Sequence, residues 1–366
     1  MTVGCENLSL QVTKDHRIEI RQSLINKPSK GEVLINVKAT GICGSDIHFW
    51  KKGCIGDLKV LGNCVLGHEA AGIILEVGEE VDNLKVGDRV SIEPGVPCGI
   101  CFLCTQGDYN LCEDVKFIGV YPNHGSMQKY LTHDARFVYK LPENMSYAQG
   151  ALVEPISVAY HGIERSKLKL GEGVLISGAG PIGLVSLLLA KASGSTPLCM
   201  TDLSSQRLEF AKSLVPEVKT YKVDIKTSPQ ENAKKIRKLF GTEESQGPHV
   251  TLECTGVESS IISCAYVTRR SGTLMIIGVG SDTINNFPFM RLSLAEIDVK
   301  FINRYHDSWP AVIRLISEGV IDVDLLITHR FPMEKAVDAL TLSSDPRRGS
   351  IKVIIEDQDI GEAIVL

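Results

Sequence analysis

Short runs of alternating apolar and polar residues occupy the first part of the chain. Between Leu8 and Tyr139 the alternation recurs in segments such as Glu32–Val37 and Gly72–Val77, with glycines between them. A period of two places every second side chain on the same face, as in a half-buried strand. Short strands at this spacing predict an all-β, barrel-like module.

A different pattern begins after Pro155. Short apolar runs typical of buried strands now alternate with segments of helical periodicity. This alternation predicts a parallel, doubly wound sheet with helices on its faces. The predicted elements are, in chain order, strand Val174–Ser177, helix Pro181–Ala192, strand Leu198–Asp202, helix Ser205–Leu214, strand Val250–Cys254 and strand Thr273–Val279.

The two patterns together predict an α/β protein of two domains. A length of 366 residues is also more than a single hydrophobic core usually supports. We expect an all-β domain at 1–155 and a parallel-sheet domain at 156–297. The remaining segment, 298–366, contains a helix near Trp309–Gly319 and a last strand, Ser350–Ile355, and is a candidate to return to the first domain.

Composition narrows the class of partner. Hydrophobic residues make up 43% of the chain, charged residues 23%, and the net charge is -5. No run of lysine and arginine is present, which argues against nucleic acid and anionic membranes and favours a small molecule. No apolar run has the length of a signal peptide or a membrane span, so we expect a cytoplasmic protein.

Four cysteines lie within one short segment. Cys98, Cys101, Cys104 and Cys112 have the density and spacing of a tetrahedral zinc site. Four thiolates leave zinc no open position, so this site supports the fold and does not catalyse. The other seven of the 11 cysteines are scattered, which favours a reducing compartment over a disulfide framework.

A glycine-rich turn follows the strand Val174–Ser177. Its residues Gly178, Gly180, Pro181, Ile182 and Gly183 form a G-x-G-x-x-G string that opens the next helix. In this context the glycines permit a tight turn and close approach to a pyrophosphate, which the helix N-terminus then faces. The turn predicts a dinucleotide site.

Asp202 ends the next strand and indicates which dinucleotide binds. A carboxylate at this position accepts hydrogen bonds from the ribose 2'-hydroxyl of NAD and repels the 2'-phosphate of NADP. Arg207, one turn into the following helix, is a candidate contact for the adenosine. The alternative for Asp202 is a helix N-cap.

A second set of metal-binding residues lies in the first domain. Cys43, His68 and Glu69 supply a thiolate, an imidazole and a carboxylate, and three protein ligands plus one open position are typical of catalytic zinc. Glu154 lies at the junction of the domains, where a cleft is expected. It either ligates zinc directly, holds a water molecule on it, or forms an interdomain ion pair.

These residues together resemble the zinc-dependent medium-chain dehydrogenases, and more narrowly their polyol branch. The resemblance extends through nearly the whole chain and rests on Gly41–His48, Leu66–Glu69, the cysteine quartet, Ala151–Pro155, Gly178–Gly183 and Arg304–Tyr305. It implies a GroES-like catalytic domain, a Rossmann domain, a homotetramer and a tail that rejoins the catalytic domain. It also implies NAD contacts from Ile277, Gly278, Val279, Asn303 and Arg304.

The resemblance further implies a reaction: oxidation of a secondary hydroxyl of a sugar alcohol, with hydride transfer to NAD. Arg304 and Tyr305 would hydrogen-bond the substrate, and Phe49, Leu58 and Glu154 would also contact it. Ser45 and His48 match proton-relay positions, with a water molecule held by Glu154 as the rival base. Within the branch, the segments around Phe49 and Cys54 look most like L-arabinitol 4-dehydrogenases.

Leu58 departs from that likeness. Its position, which lines the substrate pocket in the branch, is typically methionine in arabinitol enzymes and phenylalanine in sorbitol and xylitol enzymes. Xylitol or D-sorbitol therefore stays an alternative substrate. A zinc-free, quinone-reducing relative would lack Cys43, His68 and Glu69, and a zinc-ribbon module would show a longer cysteine spacer and a basic face.

Overall fold

A computed structural model describes residues 7–357 of the chain. The described residues form two compact units. The first contains the residues up to Glu154, the segment Trp309–Glu318 and the described residues from Val323 onward. The second contains Pro155–Ser308 and Gly319–Asp322.

Strands provide most of the first unit and the centre of the second. In chain order they are β1 Leu8–Val12, β2 Ile18–Gln22, β3 Glu32–Gly41, β4 Cys54–Ile55, β5 Leu58–Lys59, β6 Cys64–Val65, β7 Glu69–Val77, β8 Arg89–Ile92, β9 Gly95–Val96, β10 Lys116–Phe117, β11 Tyr130–Asp134, β12 Val138–Lys140, β13 Val174–Ser177, β14 Leu198–Asp202, β15 Lys219–Lys222, β16 Val250–Glu253, β17 Thr273–Ile276, β18 Asp298–Phe301, β19 Ile327–Pro332 and β20 Lys352–Glu356.

Helices are few in the first unit and alternate with strands in the second. They are α1 Gly44–Lys52, α2 Phe102–Gln106, α3 Tyr147–Ser166, α4 Pro181–Ala192, α5 Ser205–Leu214, α6 Pro229–Arg237, α7 Glu258–Val267, α8 Phe289–Leu294, α9 Trp309–Ser317 and α10 Ala336–Ser343. No helix in the described part of the chain has the length and apolar character to cross a membrane.

A seven-stranded, mostly antiparallel sheet dominates the first unit. Its order is β12-β8-β7-β3-β20-β19, with β11 also paired to β3. The alternation predicted from the sequence recurs in β3 and β7, whose apolar side chains Val33, Ile35 and Ile74 are buried in one core cluster. The all-β module is therefore confirmed, and the strand β20 from the end of the chain completes its sheet.

Trp309 attaches the returning segment to this sheet. Its side chain is fully buried, stacks on Tyr139 with 6.0 Å between ring centroids, and donates to Ser91 Oγ at 3.0 Å. Ser91 Oγ in turn donates to the carbonyl of Gly150 at 2.8 Å. The indole N–H is thus satisfied inside an apolar site, as a buried tryptophan requires.

A six-stranded parallel sheet forms the centre of the second unit. Its order is β15-β14-β13-β16-β17-β18, and every neighbouring pair is parallel. The strand order reverses between β13 and β16. Doubly wound sheets bind their ligands at such a point, next to the carboxyl ends of the two strands. The predicted doubly wound fold is confirmed.

One segment differs from the division expected at residue 298. β18 pairs in parallel with β17, and the second unit continues to Ser308. Two of the four residues of β18, Asp298 and Lys300, are charged, which is compatible with its place at the edge of the sheet. An edge strand lacks the continuous apolar run that identifies a central strand.

Candidate active site and metal centres

Two adjacent segments of the first unit bring Cys43, His68 and Glu69 together. Cys43 immediately precedes α1, and Glu69 is the first residue of β7, directly after His68. One ligand atom from each of the three residues lies within 4.8 Å of the others. His68 and Glu69 are buried, with 5% and 1% exposed.

Asp46 holds these two segments in register. Its fully buried carboxylate accepts from the Cys43 backbone N–H at 2.9 Å and from the Gly67 N–H at 3.0 Å. The same carboxylate lies 3.9 Å from His68 Nδ1, a ring nitrogen that has no hydrogen-bond partner within the described residues. Carboxylates commonly orient metal-binding imidazoles from this side.

Lys352 pairs with the third candidate ligand. Its Nζ lies 2.8 Å and 2.6 Å from the two carboxylate oxygens of Glu69, and it donates to the Ile42 carbonyl at 3.2 Å. Both side chains of the pair are almost fully buried. Gly41 lies opposite Glu69 in the β3–β7 ladder and makes room for it, because a Cβ there would be 2.0 Å from Glu69 Oε2.

The electrostatics of this cluster favour a cation. Burial alone would lower the pKa of His68, but the Cys43 thiol and the Asp46 and Glu154 carboxylates raise it to about 10. The raised pKa reflects these negative groups around the imidazole, which would equally attract a metal cation. A sulfur, a nitrogen and an oxygen donor in such surroundings suit Zn²⁺, which would have to displace the proton of His68.

The remaining residues expected in catalysis lie around this cluster. Ser45 Oγ lies 3.4 Å from His68 Nε2. His48 is partly buried in α1, and burial, followed by the charge of Lys52, lowers its pKa. Glu154 is 5% exposed and acts electrostatically on both His68 and Lys352.

The two hydrophobic residues expected at the substrate have different surroundings. Phe49 is 2% exposed and packs in an apolar core cluster with Ile42 and Val60. Leu58 is 42% exposed on the short β4–β5 hairpin. Of the two, only Leu58 presents a side chain that a ligand can reach within this unit.

Lys352 is one of the residues whose role the sequence did not predict. It lies in the apolar segment Ser350–Ile355, which the alternation identified only as a strand. A lysine inside an apolar strand is a signal of a buried partner, since lysine is almost never fully buried unless it is paired. The sequence does not say which carboxylate is that partner.

The four clustered cysteines converge as predicted from their spacing. The four sulfurs lie within 4.8 Å of one another, with 3.4 Å between Cys101 and Cys104 and 3.9 Å between Cys98 and Cys104. Bonds of about 2.3 Å to a tetrahedral zinc ion place sulfurs roughly 3.8 Å apart. Backbone N–H groups of Ile100 and Cys101 lower the pKa of Cys98 to about 7, whereas burial raises the pKa of Cys104 to about 12 and also raises that of Cys112. Metal binding must therefore displace protons from these thiols.

The glycine-rich turn lies at the carboxyl end of β13. Gly178 has a left-handed backbone with φ 101°, and a Cβ on Gly183 would lie 1.8 Å from the Gly178 carbonyl oxygen. Gly180 precedes α4, which begins with Pro181 and Ile182. Pro181 is the first residue of the helix, where an N–H would have no partner within the helix. The other free N–H groups of the first turn of α4 can donate to a phosphate.

Asp202 both ends β14 and braces this turn. One carboxylate oxygen accepts from the Ala179 N–H at 2.7 Å, and the other accepts from the Ser204 N–H at 2.7 Å. The N-cap of α5 is Ser204, so the alternative of Asp202 as that N-cap is wrong. Arg207 Nη1 lies 4.0 Å from the position of a Cβ on Gly180, beside the turn.

The other expected cofactor residues follow neighbouring strands of the same sheet. Ile277, Gly278 and Val279 come directly after β17, and Asn303 and Arg304 come after β18. Arg304 has a left-handed backbone with φ 57°, which is uncommon for a residue with a side chain, and Tyr305 is 3% exposed. The carboxyl ends of parallel strands meet at one edge, so these segments share an edge with the Gly178 turn.

Each of the two units contains a segment that matches a known protein family. Residues 29–143 match the alcohol dehydrogenase GroES-like domain, and residues 181–318 match the zinc-binding dehydrogenases. The chain is 49% identical to L-arabinitol 4-dehydrogenase of Hypocrea jecorina over 90% of this chain and 86% of that protein. It is 43% identical to sorbitol dehydrogenase of Mus musculus over 91% of this chain and 92% of that protein.

A solved structure supports the same assignment. The crystal structure of 2R,3R-butanediol dehydrogenase from Bacillus subtilis covers 96% of this chain and all of its own, with a TM-score of 0.84 and 30% identity. The fold and the sites thus define an oxidoreductase with a GroES-like domain and a Rossmann domain, and its cofactors are zinc and NAD. The chain belongs to the zinc-binding alcohol dehydrogenase family, in its polyol dehydrogenase branch.

Replacing Lys352 with methionine should destabilise the metal-free protein by about 3–5 kcal/mol, because Glu69 is left buried without a countercharge. Zinc can supply that charge, so the rise in Tm on zinc addition should be larger in Lys352→Met than in the unmodified protein. Thermal melts of metal-stripped and zinc-loaded protein measure both effects.

A second lysine of the same unit provides the control. Lys38 pairs with Asp357 at 3.0 Å, and both side chains are less buried than those of Lys352 and Glu69. Lys38→Met should therefore cost less than Lys352→Met and leave the zinc-induced rise in Tm unchanged. An equal zinc-induced rise in Lys352→Met and Lys38→Met would contradict the role given to Lys352.

Exchanging Asp202 for serine and Leu203 for arginine should shift cofactor preference from NAD towards NADP. The exchange removes the carboxylate that repels a 2'-phosphate and adds a cation that attracts it. The ratio of kcat/KM for the two cofactors measures the shift. Leu203→Arg alone, which keeps the carboxylate, serves as control, and an unchanged ratio in the double variant would show that Asp202 does not select the cofactor.

Proposed function

We propose that this enzyme oxidises L-arabinitol to L-xylulose with NAD as hydride acceptor. The observation that carries the proposal is the convergence of Cys43, His68 and Glu69 in a buried, negatively charged cluster. The 49% identity to an L-arabinitol 4-dehydrogenase supports the choice of substrate. The proposal includes the division into a catalytic domain, formed by the first unit, and a nucleotide domain, formed by the second.

Cys43, His68 and Glu69 would hold the catalytic zinc, with Glu154 as a further ligand or as the holder of a water molecule. Zinc, when bound, supplies a Lewis acid that favours loss of the proton from an alcohol. Asp46 and Lys352 keep the protein ligands in place by the contacts given above. Cys98, Cys101, Cys104 and Cys112 would hold a structural zinc.

Proton removal must accompany the loss of hydride, so a base is needed near the reacting hydroxyl. Ser45 Oγ lies 3.4 Å from His68 Nε2. His48 lies one helical turn further along α1, and burial lowers its pKa, which favours the neutral imidazole that can accept a proton. We propose Ser45 and His48 as the relay, with a water molecule held by Glu154 as the alternative base.

Positioning of a flexible polyol requires hydrogen bonds away from the reacting carbon. We assign these hydrogen bonds to Arg304 and Tyr305. The exposed, apolar side chain of Leu58 would line the substrate pocket by van der Waals contact. The strained backbone of Arg304 supports the assignment, because residues in uncommon conformations cluster at functional sites. The assignment of Phe49 to the substrate rests on resemblance alone, since its side chain is in the core.

A second candidate is oxidation of xylitol or D-sorbitol. The specific observation in its favour is the 43% identity to a sorbitol dehydrogenase. Leu58 matches the residue expected in neither group of enzymes, so it leaves the choice between the substrates open. The two candidates use the same cofactors and the same residues for chemistry. They differ only in the hydroxyl arrangement that the substrate residues accept.

Assembly and location are also proposed. A homotetramer is supported by large apolar side chains that are more than half exposed at the β18 edge of the parallel sheet and on neighbouring α8, namely Phe289, Met290, Leu294 and Phe301. Exposed apolar clusters of this kind mark protein contacts. A cytoplasmic location is supported by the absence of disulfides among the cysteines that the structure describes.

Replacing His68 with alanine should abolish NAD reduction while NADH binding is retained, because the imidazole belongs to the metal cluster and the nucleotide site lies in the other unit. Initial rates and the Kd for NADH measure the two properties. Turnover at the unmodified rate, in His68→Ala or in metal-stripped protein, would refute a zinc mechanism.

Initial rates with NAD across L-arabinitol, xylitol, D-sorbitol and galactitol test the substrate. We expect the highest kcat/KM with L-arabinitol. A higher value with xylitol or D-sorbitol would replace the first candidate by the second, and Leu58→Met should then shift preference towards L-arabinitol.

A further inference from the structure

A buried carboxylate lies under the nucleotide-binding edge of the second unit. Glu253 is the last residue of β16 and is fully buried. Among the residues that the structure describes, its hydrogen-bond partners are neutral donors and no cation pairs with it. Burying a carboxylate costs free energy unless its oxygens accept hydrogen bonds. The groups that donate to Glu253 therefore indicate which segments it stabilises.

The first of these contacts is a turn. One oxygen of Glu253 accepts from the Thr255 N–H at 3.1 Å and from the Thr255 hydroxyl at 2.5 Å, and the other accepts from the Gly256 N–H at 2.8 Å. The carboxylate therefore fixes the backbone of the turn that leaves β16. Hydrogen bonds to a charged acceptor are the stronger ones.

The second contact is the segment after β17. The backbone carbonyl of Glu253 accepts from the N–H groups of Ile277 and Gly278 at 2.8 Å and 2.9 Å. The turn fixed by the carboxylate also packs directly on this segment, because a Cβ on Gly278 would lie 2.1 Å from the Gly256 nitrogen. Moving the turn therefore requires moving Ile277 and Gly278.

The third contact extends to the glycine-rich turn through hydroxyl groups. Ser260 donates to Glu253 at 2.7 Å, Ser177 lies 2.9 Å from Ser260, and Thr201 lies 3.1 Å from Ser177. A carboxylate only accepts, and each hydroxyl has one proton. Ser177 must therefore donate to Ser260, and Thr201 must donate to Ser177, the residue immediately before Gly178.

We propose that Glu253 is a positioning residue that sets the affinity for the dinucleotide. It joins three segments at the edge of the sheet: the Gly178 turn, the turn at 255–256 and the segment 277–279. It contacts no cofactor itself and acts by holding the backbone of these segments before the cofactor arrives. The inference rests on the nucleotide site proposed above.

The carboxylate, and not merely the shape of the side chain, is required. Glutamine has the same size, but one of its two ends carries an NH₂ group that donates. Whichever way the amide faces, it meets the Gly256 N–H or the three donors around Thr255 and Ser260. At least one segment is then released, and buried donors are left unsatisfied.

The test is the Kd for NADH of zinc-loaded enzyme, measured by nucleotide fluorescence, in Glu253→Gln and in unmodified protein. We expect binding to weaken by about tenfold or more. The KM for NAD should rise with it, while kcat and the zinc content change much less, because the metal cluster is in the other unit. A purely structural role would lower Tm without this split.

Glu93→Gln is the matched control. Glu93 is 1% exposed in the first unit and accepts from the hydroxyls of Tyr109 and Tyr139 at 2.8 Å each. This variant should lower Tm and leave the Kd for NADH unchanged. If Glu93→Gln weakens NADH binding as much as Glu253→Gln does, a general loss of stability explains the weaker binding of both variants, and the inference is overturned.

Ser260→Ala keeps the proposal testable if Glu253→Gln does not fold. It retains the contacts of Glu253 with the turn and removes only the link to Ser177, so a weakening of several-fold is expected. Binding equal to that of unmodified protein in both variants, or in Ser260→Ala when it alone folds, would overturn the inference. Absence of NADH binding by unmodified protein would instead overturn the proposed nucleotide site.

Discussion

The catalytic unit depends on how buried negative charge is balanced around Cys43 and His68. Asp46 and Glu69 are buried beside His68, the buried Glu154 acts on His68 electrostatically, and Lys352 is a buried cation paired with Glu69. The Cys43 thiol and the Asp46 and Glu154 carboxylates raise the pKa of His68. A divalent cation would also be attracted by these groups, so metal binding and the stability of this unit should be linked.

Both units use the same physical device to shape a site. Asp46 accepts backbone N–H groups from the two segments that carry the metal ligands, and Glu253 accepts backbone N–H groups from a turn at the nucleotide edge. In each case a buried carboxylate organises backbone that has no regular ladder of hydrogen bonds. The residues expected to contact ligands are then held by neighbours that contact no ligand.

Much of this could be predicted from the sequence because the signals are local. The strand and helix around Gly178–Gly183, the strand ending at Asp202 and the convergence of Cys98–Cys112 all follow from short-range spacing. Lys352 could not be assigned, since its partner Glu69 is 283 residues away and only the β3–β20 pairing brings them together. Phe49 was expected at the substrate, whereas helix α1 directs it into the core.

The central claim is that chemistry and structural support are divided between two metal sites of different ligand sets. Cobalt reconstitution of metal-stripped enzyme tests it most directly, because thiolate-to-cobalt absorption distinguishes four sulfur ligands from one. The account predicts that addition of NADH and L-arabinitol changes only the absorption bands of the one-sulfur site. Cys43→Ala should remove those bands and therefore the change. A change confined to the four-sulfur site, or one that persists in Cys43→Ala, would contradict it.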